Sequence, residues 1–429
     1  MELKDESILV VGAGITGLSL AYWLTQQGKH VILVEAAAQA GGVMATHYKE
    51  GFEINEGPVS CASTPLIEQL ANELNLTVEY PTTASSKRFI YSQNKMHHVS
   101  PLTLLAGSLL SVRGKIALFR DLFCKAYNEP QQDESIASFA RRHFGEEAHQ
   151  KLLAPVIGGI YAGDTEKLSM QYCLPKLREI TRKHGSLLKG FRKEDVKGNR
   201  KIISFEGGLV RLIHALEQNI KQLIRYNAKV ISFSKDDQGY RVTIRQGEHH
   251  TTGSFSKIYF TVPAYALADI IKPVNETLSQ QLLKVNYAPV TQWYLTADKT
   301  QVDGFGFLVP PADGLPLLGA INLSGIFPAK APSGKSLFVV FTNSSAQAQS
   351  EKILADELSR ATGARQVRCI HSRTWPRAIP QPHVGHANLF KHISHFEEQH
   401  PGIRCLGNFI SGVSVGDCVA AAYWAAHQK

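Results

Sequence analysis

Gly12, Gly14 and Gly17 close an apolar run, ILVVGAGITG (residues 8–17), and Glu35 ends the next one, HVILVE. A buried strand that passes through Gly-x-Gly-x-x-Gly into a helix, with an acid about twenty residues further on at the tip of a second strand, is a dinucleotide-binding arrangement. Gly12 permits the tight turn, Gly14 lets backbone approach a pyrophosphate, and Gly17 lets the helix pack against the strand. The helix that opens at Ile15 and Thr16 offers N–H groups and a partial positive charge to the phosphates. Glu35 would accept hydrogen bonds from a ribose diol. The competing reading is an α/β turn with an empty crevice.

A second glycine pair, Gly41-Gly42, follows Glu35 within a few residues. It lets backbone pass close to a second phosphate or to a flavin ring, which nicotinamide dehydrogenases do not usually need, so it favours FAD over NAD. Near the C-terminus, IRCLGNFISGVSVGDCVAAAYWAAHQ reads as a strand, a glycine-rich turn and a helix. Gly412 and Gly416 precede that helix. Its N-terminus could point at the flavin N1–C2=O edge and stabilise the anionic reduced ring. Asp417 would sit at the ribityl chain or pyrophosphate, or cap the helix, and both can hold at once.

These motifs need three stretches of one α/β cofactor domain, residues 1–80, 200–268 and 395–429. Within the second, Gly207-Gly208-Leu209 leads into a helical pattern, LVRLIHALEQNI, and then short strands, KVISFSK, YRVTIRQ and SKIYFTVPA. Residues 81–98 and 269–394 read as an α+β substrate domain with one helix near Ser350–Thr362, and residues 99–199 as a helical insertion. The chain of 429 residues, 44% hydrophobic, is too long for one small core and too apolar for disorder. Glu2, Lys4, Asp5 and Glu6 precede the first strand, unlike a signal or transit peptide. No run of about eighteen uncharged apolar residues occurs. Six scattered cysteines without a C-x-x-C pair suit free thiols in a reducing cytoplasm.

The net charge is +9, with basic residues concentrated in Lys176–Lys201. The plain reading is a solvated helix face and loop; the sharper ones are an anionic membrane surface or an acidic substrate. Nucleic acid is not expected, since no binding module accompanies the charge. Pro101–Phe123 is apolar but interrupted by Arg113, Lys115 and Arg120. It is expected to be a core-packed helix pair, the alternative being a monotopic surface that admits an apolar substrate from a membrane.

Further motifs are more specific. Gly51-Phe52, Asn55-Glu56-Gly57-Pro58 and Ser60 continue the flavin pattern. Pro155-Val156-Ile157-Gly158-Gly159-Ile160-Tyr161-Ala162-Gly163-Asp164 runs on to Lys167-Leu168-Ser169. Arg88-Phe89-Ile90-Tyr91 precedes it, and Gly304-Phe305-Gly306-Phe307-Leu308-Val309-Pro310, Ile379-Pro380-Gln381 with Val384-Gly385-His386, and Gly407-Asn408 with Val415-Gly416-Asp417 follow it in order. Together they resemble the oxygen-dependent protoporphyrinogen oxidase family of the flavin monoamine oxidase superfamily, over nearly the whole chain, including its coproporphyrinogen III-oxidising branch. Gln39 and Val43 flank the glycine pair where the family often has arginine, Pro382 replaces a tyrosine, and Thr342-Asn343-Ser344 replaces a glycine pair.

The resemblance implies a Rossmann-like FAD-binding domain of the glutathione-reductase/amine-oxidase type, with FAD as cofactor and a porphyrinogen and O2 as reactants. It assigns FAD contacts to Ala36, Gly57, Pro58, Val59, Val230, Gly407, Val413 and Val415, besides the glycines, Ile15, Thr16, Glu35 and Asp417. Arg88 matches a substrate-facing arginine that would anchor a propionate, and Phe305, Gly306 and Leu308 match residues that sandwich the macrocycle. Gly306 would leave room for a ring close to the flavin. Phe341 could line the same cleft or pack in the core. The implied partners are ferrochelatase or another haem-pathway enzyme, a homodimer mate and the inner face of a membrane, the protein itself being cytoplasmic. A flavin amine oxidase and a non-catalytic flavin or porphyrin binder are the other function classes.

No side chain identifies itself as the catalytic base, and Asp164 reads better as a loop residue. The late histidines, among them His383 and His386, read as ordinary loop histidines, so no metal is expected.

Overall fold

The computed structural model describes residues 7–125, 131–193, 201–237, 239–300, 302–343 and 351–428. The Glu2–Glu6 segment, residues 194–200 of the basic stretch and Ser344 lie outside these residues.

Five short strands form a parallel sheet in the order Ile224–Arg225, Val31–Val34, Ile8–Val11, Lys257–Phe260, Ile403–Cys405. Ile8–Val11 and Val31–Val34 are buried throughout, as continuous apolar strands covered on both faces must be. The helix Ile15–Gln26 covers one face. It is apolar almost all round because it lies between the helices Val210–Ile220 and Val415–His427, with Trp23 edge-on to Tyr423 at 5.1 Å. The other face packs against the helices Ala264–Ile271, Glu276–Leu283 and Ala387–Gln399, none of which the sequence pattern singles out. The antiparallel strands Ala228–Asp236, Gly239–Gln246 and His249–Phe255 extend that core.

A second sheet of seven strands runs in the order Arg368–Gln381, Asn286–Asp298, Lys335–Thr342, Gly319–Asn322, Gly306–Leu308, Arg88–Ser92, Lys95–His98. One face packs on the helix Glu351–Thr362 through Trp293, Leu295, Phe338 and Val340. The opposite face presents Tyr294, Val339 and, half-buried, Ile321, Phe305 and Phe341, against the hairpin Ala45–Lys49/Phe52–Glu56. The architecture is α/β: a Rossmann-like sheet, an inserted α+β unit and a helical insertion.

The helical insertion corrects two expectations. In Pro101–Phe123 only part of the apolar surface fills a core: Leu109 and Leu110 are buried, but Leu102, Val112, Ile116 and Phe123 are 75%, 72%, 64% and 80% exposed. The helices here are short and are held by polar anchors instead, with Ser111 bonded to Glu147 and Asp121 fully buried. Conversely, Arg178 in the basic stretch is not on a solvated face. It is buried, and its guanidinium donates to Glu134 at 2.8 Å and to the Gln132 carbonyl at 2.9 Å. Among the described residues no helix is long and apolar enough to cross a membrane.

Candidate active site

The loop after Ile8–Val11 is shaped by its glycines. Gly12 has φ +104° and donates its N–H to the Val34 carbonyl at 2.8 Å. A Cβ on Gly17 would fall 1.9 Å from the Gly12 carbonyl oxygen and 2.6 Å from Thr261 Oγ1, so only glycine lets the helix start this close to the loop. Gly14 differs: a Cβ there meets nothing within 4 Å. Its side faces open space at the start of Ile15–Gln26, and among the described residues no side chain caps that helix. Bare N–H groups beside open space are what a pyrophosphate requires.

The remaining first-half residues gather around this loop. Glu35 accepts from the Ala13 N–H at 2.7 Å and the Ala37 N–H at 2.8 Å, which fixes its carboxylate beside the loop. The Gly41 N–H donates to the Ala13 carbonyl at 2.9 Å, and a Cβ on Gly42 would sit 3.7 Å from Gly14 Cα. Ala36 borders a cleft of about 470 Å³, also lined by Asn227, Lys229 and Arg245. Val230 is buried on the strand whose first residue, Ala228, donates to the Glu35 carbonyl.

Gly57, at φ +77°, closes against Val43, whose carbonyl would lie 2.4 Å from an added Cβ. Its backbone is clamped by a residue that no local pattern marks. The buried amide of Gln292 accepts from the Gly57 N–H at 2.8 Å and donates to the Gly57 carbonyl at 2.6 Å. Pro58 follows half-buried, and Val59 joins the core with Tyr294. Thr261 was equally unmarked; its hydroxyl donates to the Val11 and Gly12 carbonyls and braces the turn.

The C-terminal residues complete the surround. Gly407 and Gly412 adopt φ +140° and +111°. Val413 packs against the helical insertion, and Val415 is buried beside the Ile15–Gln26 helix core. The cap of the last helix is Ser414 rather than Asp417: the Ser414 hydroxyl accepts from the Asp417 N–H at 3.0 Å, and the Asp417 carboxylate accepts from the Ser414 N–H at 3.4 Å, a capping box. Thr16 reaches the thiol of Cys418, which burial pushes up to about 11. The last helix therefore begins next to the first one.

The seven-stranded sheet faces the same region. Tyr294 donates to the Asn55 carbonyl at 2.5 Å, so the face that carries Tyr294 and Gln292 looks at the Asn55–Gly57 turn. One cross-strand row on it runs Ile90, Leu308, Gly319, Phe341, Gln292, Arg373; the next begins at Arg88, passes Gly306 and Tyr294, and ends at His371. Arg88 is exposed with its guanidinium 3.7 Å above the Phe305 ring. Gly306 has another reason to be glycine than the expected one: at φ +144°, an added Cβ would lie 2.0 Å from the Ala320 carbonyl, inside the sheet. Leu308 packs on Gly159, whose Cβ would come within 2.6 Å of it.

That contact joins the helical insertion to the sheet, and Gln381 reinforces it by donating to the Tyr161 carbonyl at 2.8 Å. Pro382, in place of tyrosine, accepts from the Ser169 N–H at 2.8 Å. Asp164 caps a turn, accepting from the Glu166 N–H. His383 and His386 hydrogen-bond Asn286 and the Phe409 carbonyl. Among the described residues the one cluster with metal-ligand geometry is elsewhere, at Asp121, Cys124 and His143. There Asp121 is already saturated by His143, Ser186 and the N–H groups of Leu187 and Leu188.

Over residues 15–428 the chain matches the family of flavin containing amine oxidoreductases. It is 28% identical to protoporphyrinogen oxidase 1 of Spinacia oleracea over 97% of this chain and 82% of that protein. It is 25% identical to coproporphyrinogen III oxidase of Staphylococcus aureus over 99% of this chain and 98% of that protein. The fold superposes on a crystal structure from Exiguobacterium sp. 255-15 with a TM-score of 0.82 at 23% identity, covering 99% and 98% of the two chains, and on putrescine oxidase at 0.72 and 14%, covering 98% of each. The open Gly14 surface, the fixed Glu35 carboxylate and the Gly41–Gly42 backbone fit FAD. The chain belongs to the flavin containing amine oxidoreductase family.

Proposed function

We propose that the chain oxidises protoporphyrinogen IX to protoporphyrin IX with FAD and O2, releasing H2O2, in haem biosynthesis. What carries this reading is a wide sheet face turned toward the Asn55–Gly57 turn, with an arginine stacked on an aromatic ring at its border. A porphyrinogen is a broad apolar macrocycle with carboxylates at its rim, and it needs such a surface and such a cation.

When bound, FAD supplies hydride acceptance and reoxidation by O2, so six electrons and six protons leave the ring in three rounds and three O2 become three H2O2. The chain's own residues bind and orient. Arg88, held flat by Phe305, presents its N–H edge to a propionate. Phe305 and Leu308, both half-buried, offer apolar surface. Coproporphyrinogen III is the second reading, favoured by the additional arginines of the strand Arg368–Gln381.

The exposed apolar residues of the helical insertion, with Arg113, Lys115 and Arg120 among them, support a peripheral contact with an anionic membrane face.

The deciding experiment is aerobic turnover of protoporphyrinogen IX and coproporphyrinogen III by the FAD-loaded protein, followed by porphyrin fluorescence and O2 uptake. Both porphyrins should form with three O2 consumed each; protein that holds FAD but oxidises neither refutes the reading. Arg88→Ala should raise KM more than it lowers kcat, as loss of a remote anchor does. The reverse pattern would place Arg88 at the reacting centre.

A further inference from the structure

The edge strand Arg368–Gln381 carries two exposed arginines, Arg373 and Arg377, each stacked on an aromatic ring. Arg373 ends the cross-strand row that passes through Gln292 and Phe341, so it lies on the face that looks at the Asn55–Gly57 turn. Its guanidinium stacks 4.5 Å above Trp375, and Glu56 steadies its Nε at 3.7 Å. The indole N–H of Trp375 is buried without a hydrogen-bond partner among the described residues, an arrangement that a bound acceptor would resolve. Arg377 is exposed and stacks 4.6 Å above Tyr265. Tyr265 lies in the first turn of the helix Ala264–Ile271, and Arg377 is four residues beyond Arg373 on the same edge strand.

Among the described residues, neither Arg377 nor Arg88 has a carboxylate within ion-pair distance. An arginine held flat on an aromatic ring is pre-organised for bidentate binding of a carboxylate. Arg88 and Arg373 lie on the same sheet face five strands apart, about 24 Å between backbones at ordinary strand spacing. Arg88 and Arg373 therefore stand at opposite sides of that face.

We propose that Arg373 and Arg377 form a second carboxylate clamp across the cleft from Arg88, and that this clamp sets the preference for porphyrinogens by their number of carboxylates. The proposal rests on the porphyrinogen-oxidising reading. A tetracarboxylate ring reaches both sides at once. A dicarboxylate ring, with its propionates on neighbouring pyrroles, engages only one.

The test uses the FAD-loaded protein with Arg377→Gln, Arg373→Gln and Arg88→Gln. Coproporphyrin III, with four carboxylates, and mesoporphyrin IX, with two, are titrated by fluorescence quenching, which needs no turnover. Relative kcat/KM for the two porphyrinogens is measured alongside. R377Q should weaken coproporphyrin III about tenfold or more, the worth of one charge-assisted contact, and change mesoporphyrin IX less than about threefold. R88Q should weaken both. R377Q touches no ion pair, so it remains decisive if R373Q disturbs Glu56. Equal loss for both porphyrins, or no loss for either, overturns the clamp and leaves porphyrinogen oxidation standing. Wild-type protein that holds FAD but oxidises neither porphyrinogen overturns both.

Discussion

Gly14 and Gly17 belong to one motif, yet the structure gives them opposite jobs, and substituting each with alanine separates cofactor binding from folding. Gly14 has φ −74° and ψ −179°, which alanine adopts freely, and its Cβ would meet nothing. G14A should therefore cost the cofactor-free protein no more than about 1 kcal/mol, the scale of an N-cap change. The new methyl would occupy the space through which a pyrophosphate approaches the helix N-terminus. Losing one charge-assisted hydrogen bond there costs about 1.5–3 kcal/mol, a weakening of FAD by roughly 10- to 150-fold. At an FAD concentration of about 100 times the wild-type Kd, wild-type protein gains about 2.7 kcal/mol from binding. A variant weakened about 100-fold would gain only about 0.4 kcal/mol. Gly17 offers no such freedom: a Cβ 1.9 Å from the Gly12 carbonyl forces loop and helix apart, so G17A should destabilise the protein with or without flavin, by about 1–3 kcal/mol or more. Flavin fluorescence quenching gives Kd, and urea melts with and without FAD give the stabilities. Wild-type affinity in G14A would refute the assignment of the open surface to a pyrophosphate, and a G17A protein that loses only flavin would refute the steric argument.

Asp121→Ala should cost about 3–5 kcal/mol in urea unfolding, because it leaves His143 and two backbone N–H groups buried without their acceptor. Burial opposes ionisation of Asp121, but hydrogen bonds from His143, Ser186 and the Leu188 N–H outweigh it and hold the carboxyl below its usual range. Its folded-state pKa is thus depressed, so its contribution is complete above about pH 4 and fades as pH falls further; a wild-type advantage that grew on acidification would contradict this. Gln292→Leu leaves the Gly57 N–H and carbonyl without their partner, and should lower stability by about 2–4 kcal/mol and alter the visible spectrum of bound flavin; an unchanged spectrum would separate Gly57 from the ring. Wild-type protein should float with anionic liposomes, and the triple change Leu102→Ser, Ile116→Ser, Phe123→Ser should abolish this with stability altered by less than about 1 kcal/mol. Equal flotation of both would sink the membrane contact.

The parts of the site legible in the sequence are those whose chemistry is local. Gly12, Gly14, Gly17 and Glu35 signal themselves because one strand–turn–helix–strand unit contains them all, and the structure sets them around one loop. The capping of the last helix was legible to within three residues for the same reason, the cap being Ser414 with Asp417 as its partner. Gln292 was not: its partner, Gly57, is 235 residues away, and a buried glutamine within VTQWYL looks like any other strand residue. Thr261 and the Leu308–Gly159 contact are hidden in the same way. The exposure of Pro101–Phe123 was misjudged because apolar content reports a preference for leaving water, not whether protein or another apolar phase receives it. Arg178 was misjudged in the opposite direction, since its partner Glu134 lies outside the basic stretch that drew attention to it.

The edge strand Arg368–Gln381 is anchored differently along its length. At one end Arg368 pairs with Glu50 of the hairpin, and His371 bonds Glu56 at 2.7 Å. At the other, Gln381 holds the Tyr161 carbonyl and the next residue, Pro382, holds Ser169. The strand is thus fixed at both ends to the flavin-side turn and to the helical insertion, while its middle residues, Arg373 to Arg377, have water on one side. Pinned ends keep that middle segment in place whatever side chains it carries. Substitutions there can change which rim groups a substrate must present without moving the Gly12–Gly17 loop, whose hydrogen bonds, among the described residues, go to other elements. Replacing Pro382 is different in kind, because its carbonyl belongs to the fixed end; such a change should shift the helical insertion against the sheet and disturb every substrate alike.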